Sequence, residues 1–211
     1  MEEYGMRSRT IRVFALTLIF SLALMTSRAL AESPMDVAQS TIEQVLRILK
    51  NPALKGQANR RQRLNEIKQV INQRFDYREM AKRCLAQHWV SLSEAQRDEF
   101  VRLFKNLLEA SYADRFDKYE NERVSYKGQS QNDGYAEVRI EIIMPNDRIP
   151  LTFRLLQEDS HWMIYDVIIE EVGLVSNYRS QFSRVIQESS YAGLVRRLQA
   201  KVTEEKEMKG L

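Results

Sequence analysis

The stretch Ala136-Glu137-Val138-Arg139-Ile140-Glu141-Ile142-Ile143-Met144 decides the fold. Ala136, Val138, Ile140, Ile142 and Met144 point one way along an extended chain, and Glu137, Arg139 and Glu141 point the other. That alternation predicts a strand with one buried and one solvated face. The pattern continues outward. Asn146-Asp147 marks a turn, Leu151, Phe153 and Leu155 alternate with Thr152 and Arg154, and Glu158-Asp159-Ser160 marks a second turn. Residues 162–169 are then apolar on both faces except at Asp166. With a first strand near residues 124–127, four strands in hairpin order predict a twisted antiparallel sheet.

Upstream of residue 124 the period is helical. Ser33-Pro34 supplies a hydroxyl cap and a first-turn proline, Val37, Ala38, Ile42, Val45, Leu46 and Leu49 repeat at helical spacing, and Asn51-Pro52 closes the helix. A second helix carries Leu64, Ile67, Val70, Ile71 and Phe75. Asp76 with Glu79 reads as a capping box for a third helix, expected to end near Trp89. Ser93 with Gln96 repeats the signal before the strongest stripe in the chain: Phe100, Leu103, Phe104, Leu107, Leu108, Ser111, Tyr112 and Phe116. After the sheet, helical spacing returns at Tyr178, Phe182, Val185 and Ile186, and a last helix carries Leu194, Val195, Leu198 and Val202. Helices, sheet, then helices make the class α+β, with both helical parts packed on the sheet.

The 211 residues suit one domain with a short appendage. Arg7, Arg9 and Arg12 precede an uncharged apolar run, residues 13–25, and Ala29-Leu30-Ala31 follows with small residues at the positions a signal peptidase reads. The run is short of the ~20 residues a spanning helix needs. Residues 1–31 are therefore expected to be a cleaved signal peptide, leaving residues 32–211 as a single exported domain. Loss of Arg7, Arg9, Arg12 and Arg28 with Glu2 and Glu3 takes the 32 basic and 29 acidic residues to 28 and 27, a charge of +1. Nothing in that balance marks a nucleic-acid partner.

Catalytic and metal chemistry find little material. Seven glycines leave no phosphate loop, Cys84 is the single cysteine, and His88 and His161 are the only histidines. No nucleophile motif is present, so no catalytic residue, metal ligand or cofactor is assigned. His88 and His161 read as capping or surface residues, and Cys84 as a small buried apolar residue. Asp166 lies inside an apolar strand and needs a partner, for which Arg179 is the candidate, in a structural ion pair rather than a ligand contact. Arg60, Arg61 and Arg63 read as a solvated helix face, with a phosphate or an acidic partner surface as the alternative.

Three stretches together resemble the MlaC family, exported auxiliary proteins of a lipid ABC transporter that are associated with toluene tolerance and outer-membrane lipid asymmetry. They are Leu85-Ala86-Gln87-His88-Trp89 followed by Glu94-Ala95-Gln96-Arg97 and Phe100, then Phe104-Lys105-Asn106-Leu107-Leu108 with Tyr112. The third is Trp162-Met163-Ile164-Tyr165-Asp166-Val167 running into Asn177-Tyr178-Arg179-Ser180-Gln181-Phe182. Two positions depart from the pattern: Ala86 stands where the family commonly has glycine, and Glu171-Val172-Gly173-Leu174 replaces a usual Gly-Val-Ser-Leu.

The resemblance implies a periplasmic shuttle that carries phospholipid between outer-membrane lipoprotein and inner-membrane transporter complexes, without enzymatic chemistry. A hopanoid or other amphiphile is the alternative cargo, and a ligand-free adaptor or a small-pocket enzyme is the alternative function. Two acyl chains bring roughly 30 methylenes at about 0.8 kcal/mol each on leaving water, so a carrier needs a dry cavity. The expected lining is Val138, Ile140, Ile142, Phe153, Leu155, Val167 and Ile169 from the sheet, Phe100, Phe104 and Leu107 from the long helix, and Leu174 beyond the sheet. The competing expectation is a solid core.

Overall fold

The structure is a computed structural model that describes residues 32–209. The expected signal segment and its cleavage point after Ala31 lie outside the described residues.

Ser33 starts α1 (Pro34–Lys50). Its hydroxyl accepts the Asp36 N–H at 3.1 Å and Asp36 accepts the Ser33 N–H at 3.0 Å, a complete capping box with Pro34 in the first turn. Two 3-10 turns, Pro52–Leu54 and Gln57–Asn59, lead to α2 (Arg60–Asn72). Asp76 caps α3 (Tyr77–Leu85) by accepting the Glu79 N–H at 2.9 Å, but its own N–H goes to Ile164 O at 2.9 Å instead of closing a box. The third helix also stops earlier than expected. Ala86 takes φ 48°, which breaks the helix, and a separate turn, α4 (Gln87–Val90), carries Trp89.

The Ser93–Gln96 box opens α5 (Glu94–Asp117) as the sequence predicts. The sheet follows as β1 (Arg123–Asn132), β2 (Tyr135–Ile143), β3 (Arg148–Glu158), β4 (His161–Ile169) and β5 (Val172–Gly173). Neighbours in chain order pair antiparallel. The expected four strands are thus five, because Glu170 and Glu171, at φ 49° and 69°, turn the chain back tightly enough for Val172 and Gly173 to pair with β4. β1 also runs beyond the expected 124–127, its polar second half held in register by β2. Last comes α6 (Leu174–Lys209), divided by non-helical Ser189 and Ser190 into the two helices that the sequence periodicity predicts.

Buried apolar residues form two clusters. One is all-helical, built by α3, α4, α5 and α6 around Met80, Leu85, Phe100, Phe104, Phe182 and Leu194. The other lies between α1 and one face of the sheet, around Val37, Ala38, Val138, Ile140, Phe153, Leu155 and Ile164. Phe75 touches both clusters and bridges Ile164 in parallel, so the α2–α3 junction extends the edge of β4.

Candidate functional site: the inner face of the sheet

Strand register sorts the sheet into cross-strand rows on the face that α1 covers, since residues directly opposite in antiparallel strands share a face. Ala136, Leu155 and Ile164 make one row, and Val138, Phe153 and Val167 the next, each read from directly paired positions. Tyr126, Ile140, Leu151 and Ile169 form a third row, and Val124, Ile142 and Ile149 a fourth. A bulge at Tyr165 keeps Ile164, Val167 and Ile169 on this one face, because it breaks the alternation of β4 between Arg154 and Leu155 of β3.

Burial falls along these rows. Val138 is 0% exposed and Ile140 2%, while Leu151 and Ile169 in the third row and all of Val124, Ile142 and Ile149 in the fourth are only half-buried. Ile42 of α1 and Leu174 of α6 pack, half-buried, against the same cluster. The face is therefore packed at one end and apolar but incompletely covered at the other. Beyond the fourth row, Arg123, Ile143 and Arg148 pair across the ends of β1, β2 and β3. There a cleft of about 850 Å³ is lined by residues 120–123 and 143–148.

The structure brings together most of the expected lining residues. Val138, Ile140, Phe153, Leu155 and Val167 are buried in the sheet cluster, Ile169 and Leu174 pack against it, and Ile142 occupies the less covered row. Phe100, Phe104 and Leu107 are not brought to this face: they lie in the helical cluster. Phe100 and Phe104 stack at 6.1 Å, and Phe182 meets both edge-on at 5.5 and 5.8 Å. The long stripe of α5 finds its cover in α3 and α6 and leaves nothing of these rings for the sheet face. Tyr126, Leu151 and Ile42 also pack on this face and were not among the expected lining, although Leu151 alternates with Thr152 and Ile42 lies on the apolar side of α1.

The charged candidates prove structural. Asp166 is 4% exposed, and its Oδ1 accepts the Val175 N–H at 3.0 Å and the Val167 N–H at 2.9 Å. Arg154 approaches its Oδ2 at 3.9 Å. Burial pushes the carboxyl above the usual range, against the two N–H bonds and the charges of Arg154 and Arg83. Arg179 is not the partner, since it donates to the Arg83 carbonyl at 2.8 Å. Arg83 instead lies 4.1 Å over the Tyr165 ring.

Arg60 and Arg63 also depart from the solvated face expected of them. Arg60 Nε meets Asp117 at 2.7 Å and its Nη2 meets Asp114 at 3.2 Å, while Arg63 meets Asp117 at 2.6 Å. They tie α2 to the last turn of α5. Cys84 is 1% exposed, and burial drives its thiol far above the reactive range. Among the described residues no three His, Cys, Asp or Glu side chains are placed to hold a metal ion, and no helix is long and apolar enough to cross a membrane.

Comparison with known proteins matches this arrangement. The family model described as MlaC protein matches residues 39–200. The intermembrane phospholipid transport system binding protein MlaC of Haemophilus influenzae is 20% identical over 195 residues, spanning 87% of this chain and 89% of that protein. A solved structure of a phospholipid-binding protein from Ralstonia solanacearum, in complex with a phospholipid, superposes with a TM-score of 0.74 at 24% identity. It covers 83% of this chain and 98% of its own, a likeness of fold.

Proposed function

The chain belongs to the MlaC family, and from that premise we propose that it binds a phospholipid and carries it through the periplasm between outer- and inner-membrane complexes of a lipid transport system. The observation that carries this reading is the loss of cover along the inner face, from fully buried Val138 to half-buried Ile142 and Ile149. A domain stabilised only by its core gains by closing such a face, whereas a carrier needs apolar wall that its cargo completes. The acyl chains lie along the rows of Tyr126, Ile140, Leu151 and Ile169 and of Val124, Ile142 and Ile149, with Ile42 and Leu174 at their flanks. The head group sits toward the cleft between residues 120–123 and 143–148.

Binding of this kind needs no covalent step. Methylenes already dry in a bilayer stay dry in the protein, so transfer is close to balanced in apolar free energy and the direction comes from the partner complexes. The reading places the protein outside the inner membrane after removal of residues 1–31. Native mass spectrometry of protein purified from a Gram-negative periplasm, followed by extraction and lipid identification, tests it. Near-stoichiometric two-chain lipid is the expected result. Protein that is empty and also takes no lipid from vesicles would leave the ligand-free adaptor in its place.

A further inference from the structure

We propose that the C-terminal half of α6 exchanges between two copies of this chain: the bend at Ser189 and Ser190 straightens, and residues 191–209 of each copy dock on α5 of the other. The bend is held under strain. Ser190 has φ 67° and ψ 171°, a region that glycine enters freely and other residues almost never do, and Ser189 leaves the helical range at φ −147° and ψ 16°. Crowding adds to the strain. A Cβ on Gly193 would meet Ser189 Oγ at 2.5 Å and Ser189 Cβ at 2.8 Å, while the next atom, Arg196 Nη2, is 3.9 Å away. The turn closes because position 193 has no side chain. Neither hinge residue is glycine or proline, so the local sequence favours a straight helix over this bend.

What the bend gains is an interface. Leu194, Leu198 and Val202 are buried in the helical cluster with Phe100 and Phe104, and none of them belongs to the sheet cluster. The Tyr191 hydroxyl donates to the Gln96 carbonyl at 3.0 Å, and Gln199 Nε2 donates to Glu99 Oε1 at 3.4 Å. Both bonds end on α5, and α5 of a second copy offers the same acceptors. Exchange therefore keeps this interface and releases the strain at two hinges, against the entropy of joining two molecules. A two-residue hinge under strain favours that outcome. The ion pair that spans the bend, Glu188 with Arg197 at 3.5 Å, is exposed at both ends and holds it weakly.

The test uses mature protein purified from the periplasm, concentrated, held just below its melting temperature, cooled, and sized by light scattering after gel filtration. Wild type is expected to yield dimer beside monomer. Gly193→Ala blocks the bend and favours helix, so its balance is expected to move to dimer. Ser190→Gly frees the bend of strain; such strain is worth about tenfold at each hinge, so dimerisation is expected to weaken about a hundredfold. A bismaleimide linker on Glu99→Cys with Gln199→Cys separates exchange from simple association, Cys84 being buried. An exchanged dimer gives linked chain pairs on a denaturing gel, and an unexchanged one gives links within single chains. Gly193→Ala that stays monomeric or fails to fold, dimer without links between chains, or Ser190→Gly that dimerises as readily as wild type, overturns the proposal.

Discussion

Asp166 Oδ1 accepts the Val175 N–H at 3.0 Å, joining the bulge of β4 to the first turn of α6. A carboxylate at a helix N-terminus satisfies an orphan donor and favours the helix dipole, which accounts for a charge inside an otherwise apolar strand. Asp166→Ala leaves the Val175 and Val167 N–H groups buried without an acceptor and is expected to lower stability by about 2–3 kcal/mol in urea unfolding. Asp166→Asn keeps the oxygen and is expected within about 1 kcal/mol of wild type. The folded-state pKa of Asp166 is raised, so its favourable contribution is present at acid pH and lost as pH rises through that value. The deficit of the asparagine variant should therefore shrink as pH rises above the unfolded value of about 3.9. A constant deficit would mean that burial does not govern this carboxyl.

Ala86 and Glu171 occupy the two positions at which the family pattern has glycine, and both have positive φ, 48° and 69°. Non-glycine residues there hold strained backbone. Ala86 is exposed and its methyl fills no core space. Ala86→Gly is expected to raise stability by about 1 kcal/mol, measured as the midpoint shift in denaturant. Equal or lower stability would show that the extra freedom of glycine in the unfolded chain outweighs the strain relieved.

Those positions also mark where the sequence stops being legible. The class, the helix starts at Ser33 and Ser93, strands β2 to β4 and the divided last helix are all readable, because each rests on a period or a cap within one segment. The break at Ala86 and the two-residue β5 are not, since the residues that turn the chain carry no turn signature. The inner-face positions of the sheet follow from alternation. The place of Phe100, Phe104 and Leu107 does not: a helical stripe announces burial without naming the surface that buries it, and here α3 and α6 take the rings before the sheet can. The same gap hid the partners of Arg60, which lie 54 and 57 residues away in the chain; those of Asp166 are the N–H of the next residue and, across the tight turn after β4, that of Val175.

Arg60 and Arg63 neutralise Asp117 and Asp114 at the C-terminal end of α5, where the helix dipole disfavours carboxylates. Burial raises the Asp117 pKa, but the bonds from Arg63 and Arg60 prevail and hold it below the usual range. Its contribution is therefore full above the unfolded value of about 3.9 and is lost as pH falls through the folded one. Arg60→Ala is expected to cost about 1 kcal/mol at pH 7, since it removes one arginine from a partly exposed network in which Asp117 keeps Arg63. Asp117→Asn should flatten the fall in stability below about pH 4. An unchanged acid limb would show that other carboxylates set it.

Val138 and Ile142 lie on one strand and one face, two rows apart, yet Val138 is fully buried and Ile142 is not. A bulky side chain therefore meets different surroundings at each. Val138→Trp forces an indole into packed core and is expected to cost about 1–3 kcal/mol or more, with any loss of lipid following from the damage. Ile142→Trp places the indole in the half-covered row, where the carrier reading puts acyl chain. It should melt within a few degrees of wild type while retaining about a fifth or less of the lipid, an occupied cavity being worth more than 1 kcal/mol of binding. Extraction of lipid from the two purified variants, beside their thermal unfolding, separates the cases. If Ile142→Trp kept its full complement of lipid, the less covered end of the face would be bare wall, and the cargo would have to lie elsewhere.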